Sequence, residues 1–229
     1  MKTLFLSLFV TINAWGITAD EIIKKVDEIR NPAESYFMNV RIKSSKEAED
    51  STFSVSLKGN DKTHVKVLGP KKLVGRNMLM IDENMWVYVP NLKRSVRVSL
   101  SQKLVGEAAN GDISRMRWSG DYDAKILKEG KKEYLISLSQ KKKGLTYPGV
   151  QVLVDKKTFH PIKAVFLTMS GKVVKNAEYR TFKKMAGKMR PSVIHIADAL
   201  NKDSYSDIIV ESMEVRNLPD SMFTEKNLE

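Results

Sequence analysis

The stretch Ser35-Tyr36-Phe37-Met38-Asn39-Val40-Arg41-Ile42-Lys43 decides the fold, because Tyr36, Met38, Val40 and Ile42 alternate with Phe37, Asn39, Arg41 and Lys43. A period of two sends the two sets to opposite faces of an extended chain, one suited to a core and the other half-exposed. Phe53, Val55 and Leu57 repeat the pattern among serines and Lys58. Similar segments recur near residues 65–68, 77–81, 85–89, 96–100, 134–138, 150–154, 163–169, 173–182, 193–197 and 205–215. Between them stand turn-forming groups: Gly59-Asn60-Asp61, Asp82-Glu83-Asn84, Glu129-Gly130, Asp155-Lys156-Lys157 and Ser170-Gly171. Links this short predict antiparallel hairpins, since parallel neighbours need crossovers of about a dozen residues or more. About ten strands in one sheet must curl. The expected fold is therefore mainly β (α+β), a strongly curved antiparallel sheet whose concave face is filled by its own side chains, by helices or by a guest.

Two helical pieces are expected to cover that sheet. Ile22, Ile23, Val26 and Ile29 form an amphipathic stripe that Asn31-Pro32 ends. Thr18 and Glu21 have the spacing of a capping box, with Asp20 taking over the helix start if the chain is cut between them. Residues 101–118 break the alternation. Ser101 there predicts the cap of a short helix carrying Leu104, Val105 and Ala108 and ended by Gly111, with an irregular turn through Ile113 and Met116.

Residues 1–19 read as a secretory signal peptide. Lys2 supplies the positive start, residues 4–12 are apolar apart from Ser7 and Thr11, and Ala14, Gly16 and Ala19 offer small residues for cleavage, favoured after Ala19. The apolar run is shorter than the roughly 20 residues of a membrane span. Residues 20–229 are then one exported domain, expected to carry no lipid anchor because the chain has no cysteine. Stability must come from the core, with no disulfide framework to assist it. The formal net charge of +12, one less without Lys2, attracts anions of many kinds. Export removes most encounters with nucleic acid. The pairs Lys71-Lys72, Lys131-Lys132 and Lys156-Lys157 and the triplet Lys141-Lys142-Lys143 sit beside turns, which describes a solvated rim and allows transient membrane-surface contact.

The inventory for catalysis is poor. The three histidines, His64, His160 and His195, lack metal-ligand spacing, so neither a metal nor another cofactor is expected. No cysteine nucleophile, Gly-x-Ser-x-Gly elbow or phosphate-cradling loop occurs. The expectation is a protein that is not an enzyme. The segments at residues 77–81 and 85–89 are apolar on both sides, Met78 and Met80 alternating with Leu79 and Ile81 and Met85, Val87 and Val89 with Trp86 and Tyr88, and the eleven methionines suit a deformable apolar pocket as well as an irregular core.

The segment Asp82-Glu83-Asn84-Met85-Trp86-Val87-Tyr88-Val89-Pro90-Asn91-Leu92-Lys93-Arg94 resembles the turn, Trp-x-Tyr-x-Pro, basic block of outer-membrane lipoprotein-sorting proteins, the LolA-like carriers of the Gram-negative periplasm. Further matches are Gly69-Pro70, Gly171-Lys172 followed by Lys175, and the ending Leu218-Pro219-Asp220-Ser221-Met222-Phe223-Thr224. The resemblance implies a periplasmic half-barrel, an incomplete barrel closed by helices, whose interior shelters acyl chains of a lipoprotein or lipid, with an inner-membrane transporter as donor and an outer-membrane acceptor. Candidate cavity residues are Met38, Val40, Phe53, Val55, Met78, Met80, Trp86 and Tyr88. One departure stands out. The family's lid arginine immediately before the proline is replaced by Gly69, leaving Lys71, Lys72 and Arg76 as nearby cations. The contrasting expectation is an adaptor that docks on an envelope transporter or assembly complex and holds no lipid.

Overall fold

The computed structural model describes residues 16–228. Of the expected export signal, residues 1–15 lie outside the described residues. The helix predicted from the Ile22 stripe is α1, Ala19–Arg30. Its start closes as a capping box: the Thr18 hydroxyl accepts the Glu21 amide at 3.3 Å and the Glu21 carboxylate accepts the Thr18 amide at 2.8 Å. Asn31 and Pro32 end it, the Asn31 amide donating to the Asp27 carbonyl.

Strands β1 (Ser35–Ser44), β2 (Ser51–Lys58), β3 (Lys62–Gly69), β4 (Met78–Ile81), β5 (Asn84–Val89) and β6 (Arg94–Val98) follow as a meander. A small hairpin of β7 (Lys103–Val105) and β8 (Ala108–Ala109) and a short helix α2 (Asn110–Ser114) come next. The meander resumes with β9 (Tyr122–Glu129), β10 (Glu133–Gln140), β11 (Gly149–Asp155), β12 (Pro161–Leu167), β13 (Val173–Met185), β14 (Lys188–Asp198) and β15 (Tyr205–Val215). Among the described residues, thirteen strands form one sheet in the order β6-β5-β4-β3-β2-β1-β15-β14-β13-β12-β11-β10-β9. The chain thus steps from the centre of the sheet to one edge, crosses the concave side, and returns from the far edge until β15 pairs antiparallel with β1. Register shifts at Asn39/Val40, Thr52/Phe53, Leu135/Ile136, Leu153/Val154 and Phe166/Leu167 bend the strands, as bulges do. The sheet remains an open half-barrel.

The alternation that opened the sequence reading sets its inside. Tyr36, Met38, Val40 and Ile42 of β1 are buried in one core with Phe53, Val55, Val65, Met78, Ile136, Val150 and Val152 from other strands and Ile22, Ile23 and Val26 of α1. On the opposite face, Leu79, Leu218, Phe223 and Leu228 form a second cluster, where the C-terminal tail covers β4 and β5. β9 also alternates, Tyr122, Ala124 and Ile126 with Asp123, Lys125 and Leu127, and its charges suit an unpaired edge.

The expected helix over residues 101–111 is instead a hairpin followed by a helix. Gly106 takes φ +56° at the hairpin turn, where a Cβ would lie 2.1 Å from Ser44 Oγ, and Gly111 sits inside α2 instead of ending it. Close tertiary approach to β1 and β15 overrides the local capping signal of Ser101. Asp112 Oδ2 accepts the Ala109 amide at 2.8 Å where α2 starts.

Arg190 of β14, only 1% exposed, docks α1 to the sheet. Its guanidinium donates to the carbonyls of Glu28, at 3.1 Å, and Ile29, at the helix end where partial negative charge accumulates. Arg190→Met is expected to cost about 2 kcal/mol by leaving these carbonyls unpaired. Urea denaturation of the variant beside wild type measures the loss.

Candidate functional site

Residues 99–121 run from the β6 edge to the β9 edge and roof the concave face. Their fastening at one end is the carboxylate of Asp27, projecting from α1. Asp27 Oδ2 accepts the amides of Trp118 (2.8 Å) and Ser119 (2.7 Å) and the Ser119 hydroxyl (2.7 Å). Arg30, one helical turn on, lies 3.9 Å above the Trp118 ring and 5.9 Å from that of Tyr179. Burial nevertheless pushes the Asp27 carboxyl above its usual range, against the opposing effect of Arg30 and the three donors.

Arg115 makes the second clasp. It grips Asp121 through Nε at 2.6 Å and Nη2 at 2.8 Å, and donates through Nη1 to the Asp82 carbonyl in the β4–β5 turn at 2.6 Å. Thr63 Oγ1 donates to the Ser114 carbonyl at 2.6 Å, and Tyr147 donates to Asp112 Oδ2 at 3.0 Å. Nearer β6, Ser206 Oγ joins the Val105 carbonyl and the Glu107 amide, while the Glu107 carboxylate meets Lys46 at 3.0 Å, Lys103 at 3.4 Å and Ser204 Oγ at 2.6 Å.

Beneath the roof, α2 separates two spaces. On the β2–β6 side is a groove of about 210 Å³ whose apolar wall is Phe53, Val67, Met78, Val87 and Val98, roofed by Leu104 and Val105, with Leu73 and Arg76 at its border. On the other side is a chamber of about 30 Å³ bordered by Arg30, Asp112, Arg115, Tyr122, Tyr147 and Tyr179, among others. Burial pushes the Tyr147 and Tyr122 hydroxyls up, so both remain protonated donors.

Six of the eight candidate residues, Met38, Val40, Phe53, Val55, Met78 and Met80, face the concave core, and Phe53 and Met78 also line the groove. Met38, Val40, Val55 and Met80 are packed in the core away from the groove's lining. Trp86 and Tyr88 project from the other face of β5, against Leu79, Leu218 and Phe223. The reason is register. Met80 pairs with Met85 across the Asp82-Glu83 turn, so Met85 and Val87 share the Met78 face while Trp86 pairs with Leu79. Counting across that turn identifies Val87 and, through its pairing with Val96, the parity of β6. No local signal marks Arg30, Asp112, Tyr147 or Tyr179 as neighbours. Lys71, Lys72 and Arg76 are exposed and make no ion pair among the described residues. His64 instead meets the Asn227 carbonyl at 3.1 Å, and His195 pairs with Asp207 at 2.7 Å. No group of three or more His, Asp or Glu that could hold a metal occurs among the described residues.

Residues 59–229 match a family model described as "Uncharacterized protein". A LolA superfamily protein from Nitrosomonas europaea is 35% identical, with 93% of this chain and 100% of that chain covered and a TM-score of 0.85. A proposed outer membrane lipoprotein-sorting protein domain from Vibrio parahaemolyticus, at 18% identity, shares the fold with a TM-score of 0.76 over 92% of this chain and 97% of that one. A DUF1329 family protein from Desulfovibrio piger, also at 18%, does so with a TM-score of 0.78 over 92% and 98%. No curated relative matches the chain in sequence.

Gly111 brings α2 so near the β10–β11 loop that a Cβ would lie 1.8 Å from Thr146 Oγ1. Gly111→Ala is expected to lift α2 and lower stability by about 1–3 kcal/mol, read from a denaturant midpoint. A second expectation concerns pH. Desolvation raises the Asp112 carboxyl above its unfolded value, so its contribution is fully present below the unfolded value and is lost as pH rises through the folded one. The stability of wild type relative to Asp112→Asn should therefore increase on acidification through that window, as paired melts at stepped pH will register.

Proposed function

Since the chain belongs to the LolA superfamily, we propose that it is a periplasmic carrier or binder of acylated cargo, a lipoprotein or a lipid, whose chains enter the groove beneath residues 99–121. The supporting observation is the groove itself, an apolar wall contributed by five successive strands and roofed by a segment fastened largely through polar groups. Each acyl methylene transferred from water to such a surface contributes about 0.8 kcal/mol. No catalytic group is needed for that work.

At about 210 Å³ the groove is smaller than the roughly 300–1,000 Å³ of common small-molecule sites, so a long chain requires the β7–β8 hairpin to move outward. That hairpin is attached through two bonds to Ser206 and through Glu107, whose carboxylate meets Ser204 and the half-exposed Lys46 and whose carbonyl accepts Lys175. In this reading residues 1–19 are the export signal and 20–229 the single carrier domain, which receives cargo at the inner membrane and yields it to an outer-membrane acceptor.

Protein purified from periplasm should carry acyl lipid visible in its native mass. Met78→Trp, which fills the groove from β4, should weaken fluorescent fatty-acid uptake by about tenfold, equivalent to about 1.4 kcal/mol, with the circular-dichroism spectrum retained. A lipid-free mass combined with no uptake by wild type would falsify the carrier reading and favour the adaptor.

A further inference from the structure

We propose that the chamber behind α2 receives the anionic head of the cargo, and that the preferred guest is an acyl chain ending in a single carboxylate held by Arg30. This assignment rests on the carrier reading and specifies the chemistry of the guest.

Arg30 is 8% exposed, and neither its Nε nor its Nη1 has a hydrogen-bond partner. Its ion pair with Asp27 is loose, Nη1 lying 3.7 Å from Oδ1, an oxygen that likewise has no hydrogen-bond partner, while Oδ2 serves Trp118 and Ser119. The guanidinium lies over the Trp118 ring and near that of Tyr179 at the chamber wall. A buried arginine with unfilled donors carries a desolvation cost that an oxyanion would offset.

The surrounding charges favour one negative group. The chamber is bordered by Arg30, Arg115 and Arg117 against the carboxylates of Asp112 and Asp121, an excess of one positive charge. Arg115 and Arg117 are engaged by neighbouring carboxylates, Arg115 by Asp121 and, at 3.8 Å, by Glu83, and Arg117 by Glu34 at 3.6 Å, whereas Arg30 faces Asp27 alone. Asp112 is already satisfied by the Ala109 amide and the Tyr147 hydroxyl, so it does not take up the free donors of Arg30.

Volume limits the head. About 30 Å³ accommodates roughly two waters, the bulk of a carboxylate, whereas a phosphodiester with two carbon substituents is larger. Position connects head to tail. Asn110 borders the apolar groove, and the next two residues, Gly111 and Asp112, border the chamber. A guest with its hydrocarbon along β2–β6 and its carboxylate beside Arg30 therefore spans the two sides of α2, and because Gly111 is closed against Thr146, α2 must lift to admit it.

The test compares palmitate with hexadecanol, equal in chain length and different in head, by competition against a fluorescent fatty acid on wild-type protein. Palmitate should bind about tenfold tighter or more, and Arg30→Gln should erase the preference while retaining hexadecanol affinity. If Arg30→Gln does not fold, the arginine side-chain resonances of isotope-labelled wild type decide: the Arg30 signal should shift with palmitate and stay with hexadecanol. Equal binding of the two by wild type overturns the head assignment and leaves the carrier reading standing. A preference that survives in folded Arg30→Gln, or an Arg30 signal indifferent to palmitate, overturns the role of Arg30. Binding of neither compound removes the carrier reading and this inference together.

Discussion

The carboxylate of Asp27 joins the helix to the roof, and the arrangement of the interior depends on it. It is buried, it receives three donors from Trp118 and Ser119, and it stands one turn before the Arg30 that supports the Trp118 ring. Such a group gains little net stability from each bond, because water offers comparable partners, but leaving its donors unmatched would cost more. The result is positional: α1, itself held by Arg190, fixes where residues 99–121 meet the far edge of the sheet.

The topology makes that crossing necessary. A meander that starts at the middle of the sheet and reaches one edge must traverse the concave face to build the other half. The same segment therefore connects the chain, fills the hollow and divides it at α2. Its two ends differ in chemistry. Near β9 it is held by Asp27, Arg115 and the stacked Trp118, whereas near β6 it is a hairpin turned at Gly106 and tied by hydroxyls and by lysines that extend from solvent. In the proposed carrier role, movement at the β6 end would enlarge the apolar groove without releasing the clasp at the other.

The strand pattern was legible because burial on one face of a curved sheet imposes a period of two, which Tyr36, Met38, Val40 and Ile42 obey along β1. The helix, its cap and the antiparallel connections were legible for similar local reasons. The site was legible only in part. Trp86 and Tyr88 looked equivalent to Met78 and Met80 as apolar residues of adjacent strands, yet pairing across a turn inverts which positions share a face. Two of the four blocks that carried the family resemblance, around Trp86 and around Phe223, meet on the convex side, away from the groove. The Ser101 signal failed for another reason: a local cap preference worth about 1 kcal/mol yields to the fit of Gly106 against Ser44 and Ser206.

The sequence by itself determined a curved antiparallel sheet with an apolar inside and a capped helix, because these follow from spacing between near neighbours along the chain. Only the tertiary structure decided that Arg30, Asp112, Tyr147 and Tyr179 border one chamber, and that a groove of five strands opens beside it. Those residues come from α1, α2, the β10–β11 loop and β13, and no periodicity relates them. Their meeting is fixed by where the roof crosses the sheet, through contacts between parts of the chain far apart in sequence.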